Sequence, residues 1–196
     1  MRKKILLILS VLLLSIGLYK ITTKVTIIEL PKGELKWSKT RPSQVKLCVP
    51  AAFSSSRMAV VGEYRIDGKS YAKNTKQKIS IADNTFIIDE SWKSNTGFQQ
   101  IVLVKNGKLE QLKPSIKKCI RRALCKNKDK TFIIESNYPM TMTTFAYCCS
   151  KHCSDAVYLD MGEYGYGYIK NGVFTQPLYL IAYARKHKQT NWLYVQ

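Results

Sequence analysis

Acid is scarce in this chain. Thirteen Asp and Glu stand against 32 Lys and Arg, a formal net charge of +19. The basic residues are dispersed rather than blocked, with one denser patch at Lys117, Lys118, Arg121, Arg122, Lys126, Lys128 and Lys130. Such a field suits polyanions, anionic membrane surfaces or phosphorylated substrates. No nucleic-acid recognition motif accompanies it, so nucleic acid is not the expected partner. The chain also lacks an Asp-rich loop of the kind that binds calcium tightly. Internal repeats and low-complexity linkers are absent too. Histidine occurs only at positions 152 and 187, and His187, in a Lys-rich tail segment, reads as solvated.

One apolar run stands out. Arg2, Lys3 and Lys4 precede Ile5 to Leu18, which is broken only by Ser10, Ser15 and Gly17. A basic start before a short greasy stretch is the pattern of an export signal. The run is about 14 residues, against the roughly 20 that span a bilayer comfortably. No clear small-x-small cleavage site follows, and no cysteine marks a lipid-modified anchor. Residues 1–22 are therefore expected to be a signal peptide or an N-terminal membrane anchor, and 23–196 one exported domain. Neither a metal ion nor an organic cofactor is demanded by the sequence. A calcium ion on Asp160 and Glu163 with backbone oxygens is the one cation reading left open.

The six cysteines are Cys48, Cys119, Cys125, Cys148, Cys149 and Cys153. An even set in an oxidising compartment invites disulfides, but six thiols allow 15 pairings and spacing does not choose among them. Cys148, Cys149, His152 and Cys153 also invite zinc. Adjacent cysteines diverge by about 100° on a helix, so all four cannot face one ion. Disulfides or plain buried thiols are favoured over metal, with Cys149 and Cys153 one turn apart and able to share a partner.

Strand signals prevail along the chain. Lys24 to Leu30 is β-branched and meets a turn at Pro31-Lys32-Gly33 before Glu34 to Trp37; Val45 to Val49 and Met58 to Ile66 follow. Asp67-Gly68 and Asn106-Gly107 are strong hairpin turns, the latter after Phe98 to Val104, and Asn171-Gly172 is a third. Thr85 to Ile88, Tyr179 to Ala184 and Trp192 to Val195 also read as strands. The most informative stretch runs strand, short helix, strand: Lys130 to Glu135, a helix N-capped by Thr141 just after Pro139, then Asp155 to Leu159. Asp160 and Gly162 lie at the exit of that last strand, where α/β units commonly present functional groups. The expected fold is α+β, a single domain with a mixed β-sheet, several hairpins and a few helices.

Several of these segments together resemble a known family. Cys48-Val49-Pro50-Ala51-Ala52-Phe53, Gly62-Glu63-Tyr64-Arg65-Ile66-Asp67-Gly68, Arg121-Arg122-Ala123 and the Thr131 to Gly162 segment follow one another in its order. That family is the phosphodiester glycosidase domain, the domain of the uncovering enzyme and of exported bacterial relatives, from which this chain would be a divergent member. The resemblance covers Val45 to the C-terminus. It implies a glycosidase acting on a sugar phosphodiester or related anionic glycan, with Phe53, Arg121, Asp160 and Gly162 carried over. The chain departs from the family where Pro50, Ala51 and Ala52 replace Asn-Gly-Gly. It departs again after Asp160, where Met161 enters a glycine-rich run and Glu163 stands near a serine.

Such chemistry needs a cation for the phosphate, and Arg121 offers a bidentate fork with Arg122 and Lys126 adding field. A carboxylate must activate water or assist departure, and Asp160 is the first candidate, with Glu135 or Glu163 as the second. Asp160 can equally be read as a turn aspartate capping local amides. Tyr164, Tyr166 and Tyr168 share one face of an extended segment next to Tyr158, and flat rings there suit either core packing or sugar stacking. The competing reading is a catalytically degenerate module that binds an anionic glycan or the cell envelope without cleaving it. A basic envelope scaffold with no small-molecule site is a weaker third.

Overall fold

The computed structural model describes residues 23–40, 42–55, 59–72, 77–128, 130–160 and 191–196, together with the backbone of 168–170 and 173–175. Among them sixteen strands accompany one helix, and the strands pair antiparallel in three sheets. The expected α+β fold with a mixed sheet is thus corrected: the molecule is mostly β. The physical reason lies in the connections. Two-residue turns return the chain beside itself, which only antiparallel neighbours allow, whereas parallel neighbours need long crossovers. A buried apolar strand such as Arg122–Asn127 reads the same from sequence in either setting.

The first sheet has the order β1 (Val25–Glu29), β12 (Lys130–Ser136), β11 (Arg122–Asn127), β13 (Asp155–Leu159), β9 (Val102–Lys105), β10 (Lys108–Leu109). The second holds β15 (Val173–Thr175), β14 (Tyr168–Lys170), β3 (Leu47–Pro50), β16 (Trp192–Val195) and β2 (Leu35–Ser38). The third is β5 (Lys69–Tyr71), β4 (Tyr64–Ile66), β8 (Gly97–Gln99), β6 (Lys78–Ala82) and β7 (Thr85–Asp89).

The turn chemistry explains the hairpins. Asp67 and Gly68 have φ of 49° and 78°, and Asn106 and Gly107 have 51° and 75°. Positive φ at both central residues gives the turn whose twist matches paired strands. Asp83 and Asn84, at 49° and 60°, close β6 onto β7 in the same way, a hairpin the sequence reading passed over. Asn171-Gly172 lies outside the described residues, though β14 and β15 pair on either side of it. The Tyr179 to Ala184 strand also falls outside them. Two expected units come apart. β1 and β2 enter different sheets despite the turn between them, and the run Phe98 to Val104 divides into β8 of the third sheet and β9 of the first.

The helix α1 (Met142–Ser150) begins where expected. Thr141, extended at φ −68° and ψ 161°, accepts from the Thr144 amide through its hydroxyl at 3.2 Å. Its buried residues Phe145, Ala146, Cys148 and Cys149 lie on the face that meets the first sheet.

Period-two alternation then gives the first sheet two unlike faces. Leu124, Ile133, Val157 and Leu159 join a core shared with Leu35 and Trp37, Leu47 and Val49, Ile79 and Phe98 of the other sheets. Ala123, Cys125, Ile134, Ala156 and Tyr158 face the other way, under α1. A side chain's parity on β11 or β13 therefore decides which half of the molecule it serves.

Candidate active site

Arg121 and Arg122 are consecutive, so the extended backbone sends them to opposite faces. Arg122 is fully buried on the side of the inter-sheet core. It sits directly across from Glu135 on β12, and both its Nε, at 3.0 Å, and its Nη2 donate to Glu135 Oε2. The second catalytic carboxylate expected at Glu135 is thus held by Arg122. The two residues neutralise each other inside the sheet rather than meeting Asp160. Lys126 is likewise turned elsewhere, near the Phe86 carbonyl and Asp155.

Arg121 takes the helix side. Its amide donates to Ser136 Oγ at 2.9 Å and its carbonyl accepts from the Ser136 amide at 2.8 Å, which fixes the strand entry. The buried guanidinium donates from Nε to the Met140 carbonyl at 2.8 Å and from Nη2 to the Lys117 carbonyl at 2.9 Å. Nη1 lies 3.5 Å from Met142 Sδ, and the guanidinium carbon is 5.8 Å from the Tyr158 ring centre. No carboxylate pairs with Arg121 among the described residues. A guanidinium has five N–H donors, so this one keeps capacity for a bound anion.

Asp160 follows Leu159 and returns to the same side as Tyr158. Its amide donates to the Ala51 carbonyl at 2.7 Å, and its Oδ2 accepts from the Ser54 amide at 3.2 Å. The contact joins residues 106 apart. It is a tie between the exits of β13 and β3, not a local turn cap. Phe53 leans on Tyr158 with ring centres 5.5 Å apart.

These groups line one cleft of about 700 Å³. Arg121, Tyr158, Asp160 and Phe53 form its inner wall, and Met142 and the segment from Gln111 to Lys117, with Lys113 and Lys117, border it. Burial is the main cause that pushes the Tyr158 phenol up, with the Cys119 and Asp160 charges adding and Arg121 opposing. The hydroxyl therefore stays protonated at neutral pH and is a donor. A cation, a neutral donor and a carboxylate thus share a mostly apolar recess, the composition of a small-ligand site. Among the described residues no group of three or more His, Cys, Asp or Glu is arranged to hold a metal ion. Gly162, Glu163, Tyr164 and Tyr166 lie outside the described residues.

One determinant was invisible beforehand. Asn191 is fully buried; its Oδ1 accepts from the Ala52 amide at 2.6 Å and the Trp37 indole at 3.2 Å, while its Nδ2 donates to the Ala52 carbonyl at 2.9 Å. It thereby holds the β3 exit where Phe53 and Ser54 begin. A lone Asn before a strand carries no signal of this role. Asn191→Ala is expected to cost about 2–5 kcal/mol by orphaning buried donors. A thermal melt lowered by about 5–15 °C would show it, and a shift under about 2 °C would refute the clamp.

No family model matches the chain, and no curated protein matches it. Solved structures do. One is the zebrafish N-acetylglucosamine-1-phosphodiester alpha-N-acetylglucosaminidase catalytic domain, auto-inhibited by its pro-peptide. It is 12% identical, with a TM-score of 0.57 over 88% of this chain and 73% of that one. The likeness is one of fold. It agrees with the structural side of the resemblance carried by the Cys48 to Phe53, Arg121 and Thr131 to Gly162 segments.

Proposed function

We propose that this protein is an exported glycosidase-like hydrolase acting on a sugar phosphodiester or a related anionic glycan. The observation that carries the reading is the meeting of Arg121 and Asp160 in one cleft with Tyr158, since the antiparallel register sets the start of β11 beside the end of β13. The fold shared with a phosphodiester glycosidase supports it.

In this reading Arg121, with Lys113 and Lys117 at the rim, holds the phosphate. The sugar rests against Phe53 and Tyr158. Asp160 takes the proton of a water attacking the anomeric carbon while the glycosidic C–O bond breaks and the phosphate departs with the electron pair. Charge accumulates on the departing phosphate, and donors from the guanidinium and the neutral phenol that reach it there would attract it more strongly toward the transition state. Glu163, three positions beyond Asp160, is the remaining candidate for a second carboxylate. Export through residues 1–22 would place this site outside the cytoplasm.

A second reading is favoured by a specific observation. Ala51 and Ala52 occupy the β3 exit, and Ala52 spends its amide and carbonyl on Asn191 rather than on the cleft. With no polar side chain there, the cleft can hold an anionic glycan without cleaving it. The two are separated by incubating the purified protein with hexose and N-acetylhexosamine 1-phosphodiesters and measuring free sugar alongside binding by calorimetry. Release of sugar from at least one is expected. Saturable binding without release would replace the enzyme by the binding module, and neither would remove both.

A further inference from the structure

The segment that borders the cleft carries the most exposed large apolar side chain among the described residues. Ile116 is 96% exposed, on irregular backbone between β10 and β11. The segment is nonetheless held at both ends. Leu112 packs on the core under α1, Arg121 donates to the Lys117 carbonyl at 2.9 Å, and Cys119 exchanges backbone bonds with Met140 at 3.3 and 3.0 Å. None of the six cysteines is bonded to another, so the disulfides expected from the even count are not formed and no covalent tie contributes. A fixed isoleucine left in water gains by meeting an apolar medium.

Its neighbours identify that medium. The Arg121 guanidinium also donates to the Met140 carbonyl at 2.8 Å, which sets residues 116–118 beside 138–140. Tyr138 there is 40% exposed. Asn137, just before it, donates from Nδ2 to the Thr23 carbonyl at 2.8 Å and from its amide to the Lys24 carbonyl at 3.1 Å. Residues 23–24, 111–119 and 137–140 therefore adjoin one another. They include Lys24, Lys113, Lys117 and Lys118, all exposed, and no Asp or Glu.

A protein interface is built around a larger apolar centre with few charges. Here one isoleucine and one tyrosine stand among lysines, a composition that suits the head groups of an anionic bilayer. The sequence supplies a second argument. The apolar run Ile5 to Leu18 ends five residues before Thr23, and five residues fully extended reach about 18 Å at most. An anchor made by that run would keep Thr23, and this side of the domain with it, at the membrane surface.

We propose that the side formed by residues 23–24, 113–118 and Tyr138 is a docking surface for an anionic phospholipid bilayer, with Ile116 entering among the head groups. Lys113 and Lys117 also line the cleft, so lipid head groups would stand at its rim. The inference is independent of the hydrolase reading, because it requires no turnover.

The test reconstitutes the full chain bearing Ile116→Trp in vesicles of phosphatidylglycerol and phosphatidylcholine brominated on their acyl chains, and subtracts the emission of the wild-type chain. An indole about 5–10 Å deep in the interface is expected to emit at shorter wavelength and to lose about half its emission or more to bromine. The loss should fall severalfold in phosphatidylcholine alone, and also at about 1 M salt, where charges are screened within roughly 3 Å. Ile87→Trp is the control. Ile87 lies on β7, whose Thr85 bonds Thr131 at the opposite end of β12, and its replacement should stay unquenched. In the wild-type chain, Lys24 and Lys118 should lose reactivity toward a membrane-impermeant acylating reagent on anionic vesicles, while the exposed Lys69 of β5 keeps it. That measurement decides the matter if a tryptophan variant does not fold. Emission from Ile116→Trp that is unquenched, matched by Ile87→Trp or indifferent to phosphatidylglycerol would overturn the proposal, as would unchanged labelling of Lys24 and Lys118. A shift to shorter wavelength without quenching would assign the surface to a protein contact and overturn it too.

Discussion

Asp160→Asn is expected to lower hydrolysis of any sugar phosphodiester the protein cleaves by about 10²–10⁴-fold, the range typical of a lost general base. The substitution is nearly isosteric, and an Asn oxygen can still accept from the Ser54 amide that now bonds Oδ2. The backbone tie from residue 160 to the Ala51 carbonyl does not involve the side chain. The fold and the cleft should therefore survive. Arg121 is untouched, so the affinity for the phosphate group should change only a few-fold while turnover falls. Steady-state kinetics, calorimetric binding and a thermal melt on the same preparation check all three parts. Unchanged turnover would take Asp160 out of the chemistry. A collapse of Tm would make it a structural link between β13 and β3 instead.

A large stability effect is expected at Glu135. Its carboxylate neutralises Arg122, whose side chain is wholly inside the protein. Removing one partner of such a pair leaves a charge in a medium that solvates it poorly, and Glu135→Gln is expected to cost about 3–5 kcal/mol. For a domain of this size that is a fall in Tm of about 10 °C, visible in a calorimetric or fluorescence melt. The double replacement Arg122→Met with Glu135→Leu should recover much of the loss, because it removes both desolvation penalties together. A Glu135→Gln melt within about 2 °C of wild type would show that other groups neutralise the guanidinium. Activity is a separate readout: the enzyme reading gives Glu135 no place in the cleft.

Local chemistry was what the sequence displayed well. Asp67-Gly68 and Asn106-Gly107 name their hairpins because few other pairs tolerate positive φ twice in succession. Thr141 after Pro139 names the start of the helix. Asp160 was legible as an acid at a strand exit, and Arg121 as a cation within the denser basic patch, though the strand that Arg121 leads into was not. What escaped was long-range. Strand order is decided by pairings such as β13 with β9, between segments more than 50 residues apart, and a buried apolar run does not say which neighbour it will take. The same blindness produced the expectation of a mixed sheet. The separation of Arg122 from the cleft is already implied by the sequence, however. Parity alone puts Arg121 and Arg122 on opposite sides of a strand, so both could not serve one cleft. Asn191 offered no comparable clue, since its partners Ala52 and Trp37 are set by tertiary packing.

The handover between β8 and β9 has a mechanical meaning. A single run of backbone leaves the third sheet at Gln99 and enters the first at Val102, with Gln100 and Ile101 as the only link. At that joint the Ile101 carbonyl accepts from the Tyr158 amide at 2.9 Å, beside the wall of the cleft. Tension applied to either layer is thus delivered within two residues to the strand that carries Tyr158. Any displacement of Tyr158 away from this joint would strain that bond and so load both layers at once.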